Sequence, residues 1–199
     1  MKVKSLLMAV IICLILTPFG YGENSNGPVG AESIEYSWSM DTAREIRTFT
    51  SDNTEATFQL DNKIVFEGKG SCKVIPSGKC EEVKLIVDLS KKNKQWEDRT
   101  KIVTNVYVPE GCPMNTCFAF VATYWPQWQW VDGTFALTKI EKVGGWNRVV
   151  YPITGKMQQL RSTKNCKLYL TFWHETTPNN KVPLAVSTPF YVDGIAFTN

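Results

Sequence analysis

Three of the chain's seven tryptophans fall within six residues, in Tyr124-Trp125-Pro126-Gln127-Trp128-Gln129-Trp130. An indole is a broad, rigid, apolar plate with one N–H donor at its edge. The ligand that matches such a plate is a pyranose, which has a face of axial C–H groups and a rim of hydroxyls. Amide and guanidinium side chains read that rim, and Gln127, Gln129, Asn147 and Arg148 are the nearby candidates. On an extended strand Tyr124, Trp128 and Trp130 share one face. Trp128 and Trp130 are then about 7 Å apart at ~3.3 Å per residue, a spacing that suits neighbouring sugar rings. Pro126 cannot donate to a ladder, so it marks a bulge or an edge and re-aims Trp125. Trp173 is a further candidate for the platform, whereas Trp38, Trp96 and Trp146 read as core, Trp146 plugging one end of the fold.

Other chemistries are poorly supplied. Glycoside hydrolysis needs two carboxylates facing a cleft. Glu110, Asp132, Glu141, Glu175 and Asp193 exist, but none falls mid-strand among aromatic residues, and Glu82 and Asp88 lack parity partners. His174-Glu175 has the types of a base and its orienter, yet a lone histidine at a strand end reads as a surface residue. No Gly-x-Ser-x-Gly, His-Glu-x-x-His or phosphate loop occurs. The chain is therefore expected to be non-catalytic, with no catalytic residues. Two alternatives stay open: a small β-sandwich glycosidase or polysaccharide lyase, and a secreted protein-binding module that uses the tryptophan strand as a hot-spot patch.

Export is expected from the first residues. Lys2 and Lys4 precede the apolar run Leu6–Leu16, and Gly20 and Gly22 are small residues at the spacing a signal peptidase reads. Residues 1–22 are expected to be a signal peptide, 23–32 a flexible leader, and 33–199 one domain, secreted and free of the membrane. Removal of the signal takes two of 22 basic residues and none of 19 acidic ones, lowering the net charge from +3 to about +1. That balance offers no footprint for nucleic acid. Oxidising surroundings permit disulfides, and Cys72 with Cys80 across a hairpin turn, and Cys112 with Cys117 around a small loop, are the candidate pairs. Cys166 is left over. Zinc is disfavoured because no Cys-x-x-Cys occurs and His174 is the only histidine.

The elements that must carry the aromatic strand are mostly β. Short segments rich in β-branched and aromatic residues recur between turn signals such as Gly68-Lys69-Gly70, Pro109-Glu110-Gly111 and Gly144-Gly145. Strands are expected at 34–40, 56–60, 63–67, 71–75, 82–88, 100–108, 117–124, 127–131, 134–139, 146–152, 167–173 and 189–197, with helical turns at 41–46 and 156–161. So many short strands in one domain predict an all-β sandwich or jelly roll. In 167–173, Leu168, Leu170 and Phe172 make one apolar face, and Tyr169, Thr171 and Trp173 make an amphipathic one suited to water.

Three segments carry a resemblance: Val106-Tyr107-Val108-Pro109-Glu110-Gly111, Gly145-Trp146-Asn147-Arg148-Val149-Val150, and the closing Pro189-Phe190-Tyr191-Val192-Asp193-Gly194-Ile195-Ala196-Phe197. They are similar to segments of jelly-roll carbohydrate-binding modules with a galactose-binding-like fold, and the chain most resembles the mannan-binding family, family 27. The resemblance implies a polysaccharide ligand, with β-mannan or glucomannan favoured, and work beside a glycoside hydrolase such as a mannanase. It implies that Trp128, following Pro126, stacks on the sugar. It also implies one structural Ca2+ between the first strand and the last, with Glu35 and Asp193 in the matching places.

Overall fold

The computed structural model describes residues 34–52, 55–89, 99–124, 127–131, 136–153, 166–178 and 180–199, without the side chains of Tyr124, Trp128 and Ala136. The expected signal peptide and leader, Trp96, Trp125, Pro126 and the helical turn at 156–161 lie outside these residues. The described chain is all-β apart from one turn of helix, α1 (Ala43–Ile46), capped by the Thr42 hydroxyl. Its strands form two antiparallel sheets, the sandwich that the strand spacing predicts.

The first sheet runs β1 (Ala56–Asp61), β2 (Ser71–Pro76), β11 (Phe190–Thr198), β4 (Lys101–Val108) and β8 (Gly145–Pro152). The second is built on β9 (Cys166–Thr177) and β5 (Thr116–Tyr124), paired from Cys166–Thr123 to Trp173–Thr116. The outer edge of β9 carries β3 (Val83–Asp88) and then β10 (Asn180–Val182). The outer edge of β5 carries β7 (Ala136–Lys139) and β6 (Trp128–Trp130). Both sheets send alternate residues inward. Leu168, Leu170 and Phe172 from β9 meet Phe190, Val192 and Tyr151 from the first sheet in one buried cluster. Each such side chain contributes roughly 1.5–3 kcal/mol by leaving water.

Alternation on β11 depends on a bulge. Register against β4 slips between Asp193 and Ile195, so Gly194 is the extra residue. That slip lets Val192 and Ile195 both face the core while Asp193 faces out. Gly194 has φ of 64°, and a Cβ there would overlap the Tyr36 ring that lies across it.

Four expectations need correction. Residues 34–40 form no strand; Trp38 makes only an isolated bridge to Ile195. Residues 63–67 are no strand; 62–70 is a loop tied down by side chains. Asp61 Oδ1 accepts from the amides of Lys63 and Ile64, Asn62 Nδ2 donates to Lys69 O, and Asp41 Oδ1 accepts from the amides of Lys69 and Gly70. The disulfide pairs do not form, and Cys72, Cys80, Cys112, Cys117 and Cys166 are all free thiols. β2 ends at Pro76 and the chain crosses to the other sheet, so no hairpin brings Cys80 back to Cys72. Cys112 and Cys117 turn to different neighbours, their thiols donating to Thr188 O and Thr138 O at 3.6 Å each. Trp146 does not plug the interior; it stands half-buried on the outer side of the first sheet, beside Tyr107 and Phe66.

Candidate functional site: the outer face of the second sheet

The face of the second sheet turned away from the core carries the aromatic side chains that the first reading sought in one strand. Register sets Trp130 opposite Ala122, Phe120 opposite Tyr169, and Phe118 opposite Thr171. Rings of Phe120 and Tyr169 stack at 4.6 Å with planes 7° apart. On the other side of Phe120, across β6, the Trp130 ring lies 4.8 Å away, tilted by 30°. These spacings match the ~4.8 Å between neighbouring strands, so the ladder itself sets the stack. Phe120 and Tyr169 spend their faces on one another and are buried, whereas Trp130 at the end of the stack is 62% exposed. One indole face is thus braced by Phe120 while most of the side chain is exposed.

A second aromatic group lies farther along the same face. Trp173 is level with Thr116 and touches Phe118 edge-on, with ring centroids 6.2 Å apart. From the level of Trp130 to that of Trp173 is six residues of β9, roughly 20 Å at ~3.3 Å per residue. Trp173 is only 4% exposed, because the Lys181 ammonium sits 4.4 Å from its ring centroid. Glu82 holds Lys181 in an ion pair from the end of β3. Thr171 and Trp173 therefore face outward as expected but are not wet. The Thr171 hydroxyl and the Trp173 indole N–H are both buried without a hydrogen-bond partner.

Charged groups on this face are paired. Lys84, opposite Thr171, binds Glu55 at 2.9 Å and lies 3.7 Å from Asp52. Burial pulls the Lys84 pKa down, and the hydrogen bond and charge of Glu55, with Asp52 and Glu82, raise it above its ordinary value. Burial also raises the Tyr169 hydroxyl, with Asp52 adding to the effect and Lys84 opposing it. Glu175 is tied to Lys139. These carboxylates are held by lysines rather than aimed in pairs at a cleft.

The sequence candidates divide accordingly. Trp130 and Trp173 lie on this face. Trp128 has the same parity, at the position opposite Tyr124. Gln127 is exposed just before β6, and Gln129, also exposed, has the opposite parity and points away from the Trp130 face. Arg148 is absent from this face: β8 places it on the outer side of the other sheet, opposite Asn105. Asn147 serves the fold, its carboxamide bonding Lys142 N, Lys142 O and Val106 O. Trp125 lies outside the described residues. Phe118, Phe120, Tyr169 and Lys84 were missed, although the shared parity of Phe118 and Phe120 with Tyr124 was legible.

The implied calcium ligands are Glu35 and Asp193. Glu35 is exposed, and Asp193 Oδ2 already accepts from the amides of Phe66 at 2.7 Å and Glu67 at 3.2 Å. Among the described residues no group of three or more His, Cys, Asp or Glu could hold a metal ion. Calcium takes six to eight oxygens, so these two carboxylates alone do not make a site.

No family model matches the chain, and no curated protein does. Solved structures do match. The CBM22-2 xylan-binding domain from Paenibacillus barcinonensis Xyn10C is similar at a TM-score of 0.56 and 14% identity, over 82% of this chain and 96% of that one. A structure described for the promiscuous specificity of β-sandwich carbohydrate-binding modules is similar at 0.55 and 15%, over 84% of this chain. The present chain spans 62% of its length. A family 27 module described for specific mannan recognition reaches a TM-score of only 0.44 at 14% identity, so the expected closeness to family 27 has no structural support. The first two likenesses show that the fold is a β-sandwich of the kind those modules have.

Proposed function

We propose that this chain is an exported, non-catalytic module that binds a neutral polysaccharide on the outer face of its second sheet. The observation that carries the reading is Trp130, an exposed indole whose inner face is braced by Phe120 and, behind it, Tyr169. Holding a large apolar ring open to water costs stability, and a sugar's C–H face is the ligand that uses it. The ligand runs along β5 and β9 from Trp130 toward the level of Trp173. Neutrality follows from the pairing of Lys84, Lys139 and Lys181 with carboxylates. β-Mannan, glucomannan and xylan are the ligands to try first. Export is supported by Lys2, Lys4 and the apolar run that follows. The burial of Cys72, Cys112, Cys117 and Cys166 shields these free thiols from an oxidising exterior.

Affinity electrophoresis in soluble mannan, xylan and glucan tests the reading. Trp130→Ala is expected to weaken retardation at least about tenfold, the factor that ~1.4 kcal/mol of lost contact gives. Its unfolding midpoint should stay near that of the parent, because the ring is exposed. Unchanged retardation in every polysaccharide that retards the parent defeats the proposal. So does turnover of any of them that a carboxylate substitution removes.

A further inference from the structure

Two short strands share one lane at the edge of the second sheet. β6 and β7 both pair with the side of β5 that faces away from β9, β6 with Ala122–Tyr124 and β7 with Thr116–Ala119. Val131 N prolongs the first pairing by donating to Val121 O at 2.9 Å. β6 and β7 therefore lie end to end. Trp130 stands opposite Ala122 and Leu137 opposite Phe118, so parity turns both side chains to the outer face. Among the described residues of that face they are the large apolar side chains left exposed, Trp130 at 62% and Leu137 at 50%.

A single exposed leucine needs no explanation. The distance from Leu137 to Trp130 gives it meaning. Their levels are four residues of β5 apart, roughly 13 Å. The indole shortens this, because its ring lies 4.8 Å from Phe120, whose level is two residues nearer Leu137. The span from indole to Leu137 thus falls between about 7 and 13 Å. Phe118 floors the interval, its half-buried ring 5.8 Å from that of Phe120. Past Leu137 the lane turns polar: Lys139 is tied to Glu175 and donates to the Thr116 hydroxyl at 2.9 Å. Trp173, at that level, is covered by Lys181, which leaves Leu137 as the open apolar contact.

We infer that Leu137 is the second contact of the Trp130 site, and that the pair selects a ribbon-like β-1,4-linked hexose chain, in which every second sugar presents the same face. The inference rests on the Trp130 reading and narrows its ligand. A β-1,4-linked pyranose advances its chain by slightly more than one strand spacing of ~4.8 Å, so two sugars cover about 10 Å and three about 15 Å. In mannan-type and cellulose-type chains each sugar is turned half a revolution from the last. The same face returns after two sugars, within the span from Trp130 to Leu137. A xylan chain in solution turns by a third of a revolution, and its face returns after three, beyond Leu137. The ligand keeps the direction already proposed and lies at the β6–β7 side of β5.

The test is a calorimetric titration of the parent, Leu137→Ala and Trp130→Ala proteins with mannohexaose, cellohexaose and xylohexaose. The parent is expected to bind at least one of the two hexose chains more tightly than xylohexaose. Leu137→Ala should weaken that hexose chain about fourfold, the factor that one buried methylene gives. It should leave any xylohexaose affinity and the melting temperature unchanged, because the side chain is half open to water. Hexose-chain affinities that do not move in Leu137→Ala overturn the inference. So does a parent that binds xylohexaose as tightly as both hexose chains. If Trp130→Ala loses binding in either case, the Trp130 reading stands and the Leu137 contact alone falls. If Trp130→Ala binds like the parent, or the parent binds none of the three, both fall.

Discussion

The two outer faces of the sandwich use aromatic residues in opposite ways. On the second sheet, Trp130, Phe120 and Tyr169 stack across three strands at the strand spacing, and Trp130 at the end of the stack is mostly exposed. On the first sheet, Trp146, Tyr107 and Tyr191 stand at steep angles to one another, and a tied loop adds Phe66 above them. The first arrangement makes a flat end-plate, the surface that the proposed function gives to a passing sugar chain. The second makes a small corner beside a tied loop. Ring angle and loop cover, rather than aromatic content, therefore set what each face can hold.

The comparison can be broken most forcefully at the middle of the stack. Phe120→Ala empties a buried position and is expected to cost about 3–5 kcal/mol in urea unfolding, as large-to-small core changes do. Phe120→Leu keeps most of the volume and should cost less than about 1.5 kcal/mol. Yet the leucine variant should still weaken polysaccharide binding several-fold, because Trp130 loses the ring that orients it. Full affinity in Phe120→Leu would show that the stack is packing alone.

The next largest effect belongs to the first sheet. Gly194→Ala puts a side chain at positive φ and against Tyr36, costing at least roughly 1–2 kcal/mol. Affinity at Trp130 should not change. If it falls, the two faces are not independent.

The smallest effect is a pH dependence. Burial raises the Asp193 pKa from its ordinary value to about 6; the Phe66 and Glu67 amides oppose this, and the charges of Asp41 and Glu67 add to it. The unfolded value is about 3.9, so the folded protein binds the extra proton between about pH 4 and 6. The stability this group lends is full below about pH 4 and is lost as pH rises through about 6. Asp193→Asn keeps an oxygen for the two amides and has no proton to lose. Its melting temperature relative to the parent should rise from pH 4 to pH 7. A constant difference would place Asp193 in a wetter setting than its 3% exposure indicates.

Much of the sandwich was legible because strand alternation is a local signal. Leu168, Leu170 and Phe172 announced their face by spacing alone, and they are buried. Features set by distant chain segments were not. Tyr169, Thr171 and Trp173 read as a wet face, but a ring from β5 and a lysine from β10 cover them. The loop 62–70 read as a strand because Ile64, Val65 and Phe66 look like one, while the carboxylates that tie it belong to residues 41, 61 and 193. Trp146 was assigned inward from its strand-start position; only the pairing with Tyr107 fixes its side. The cysteine pairs failed for the same reason, since nearness in sequence said nothing about which sheet the chain enters next. At the site, Trp130 and its parity with Trp128 were readable, but its brace was not, because Phe120 and Tyr169 lie on two other strands.

The stack beneath Trp130 also bears on when the ordering of that side chain is charged to the free energy. A lone surface indole samples several rotamers and must give them up when a sugar arrives. Here the ladder that spaces Phe120 from Tyr169 also restricts Trp130, so much of that entropy is lost during folding instead. The Trp130 plate thus inherits the rigidity of three hydrogen-bonded strands, and under the proposed function a ligand meets it already set at its working angle.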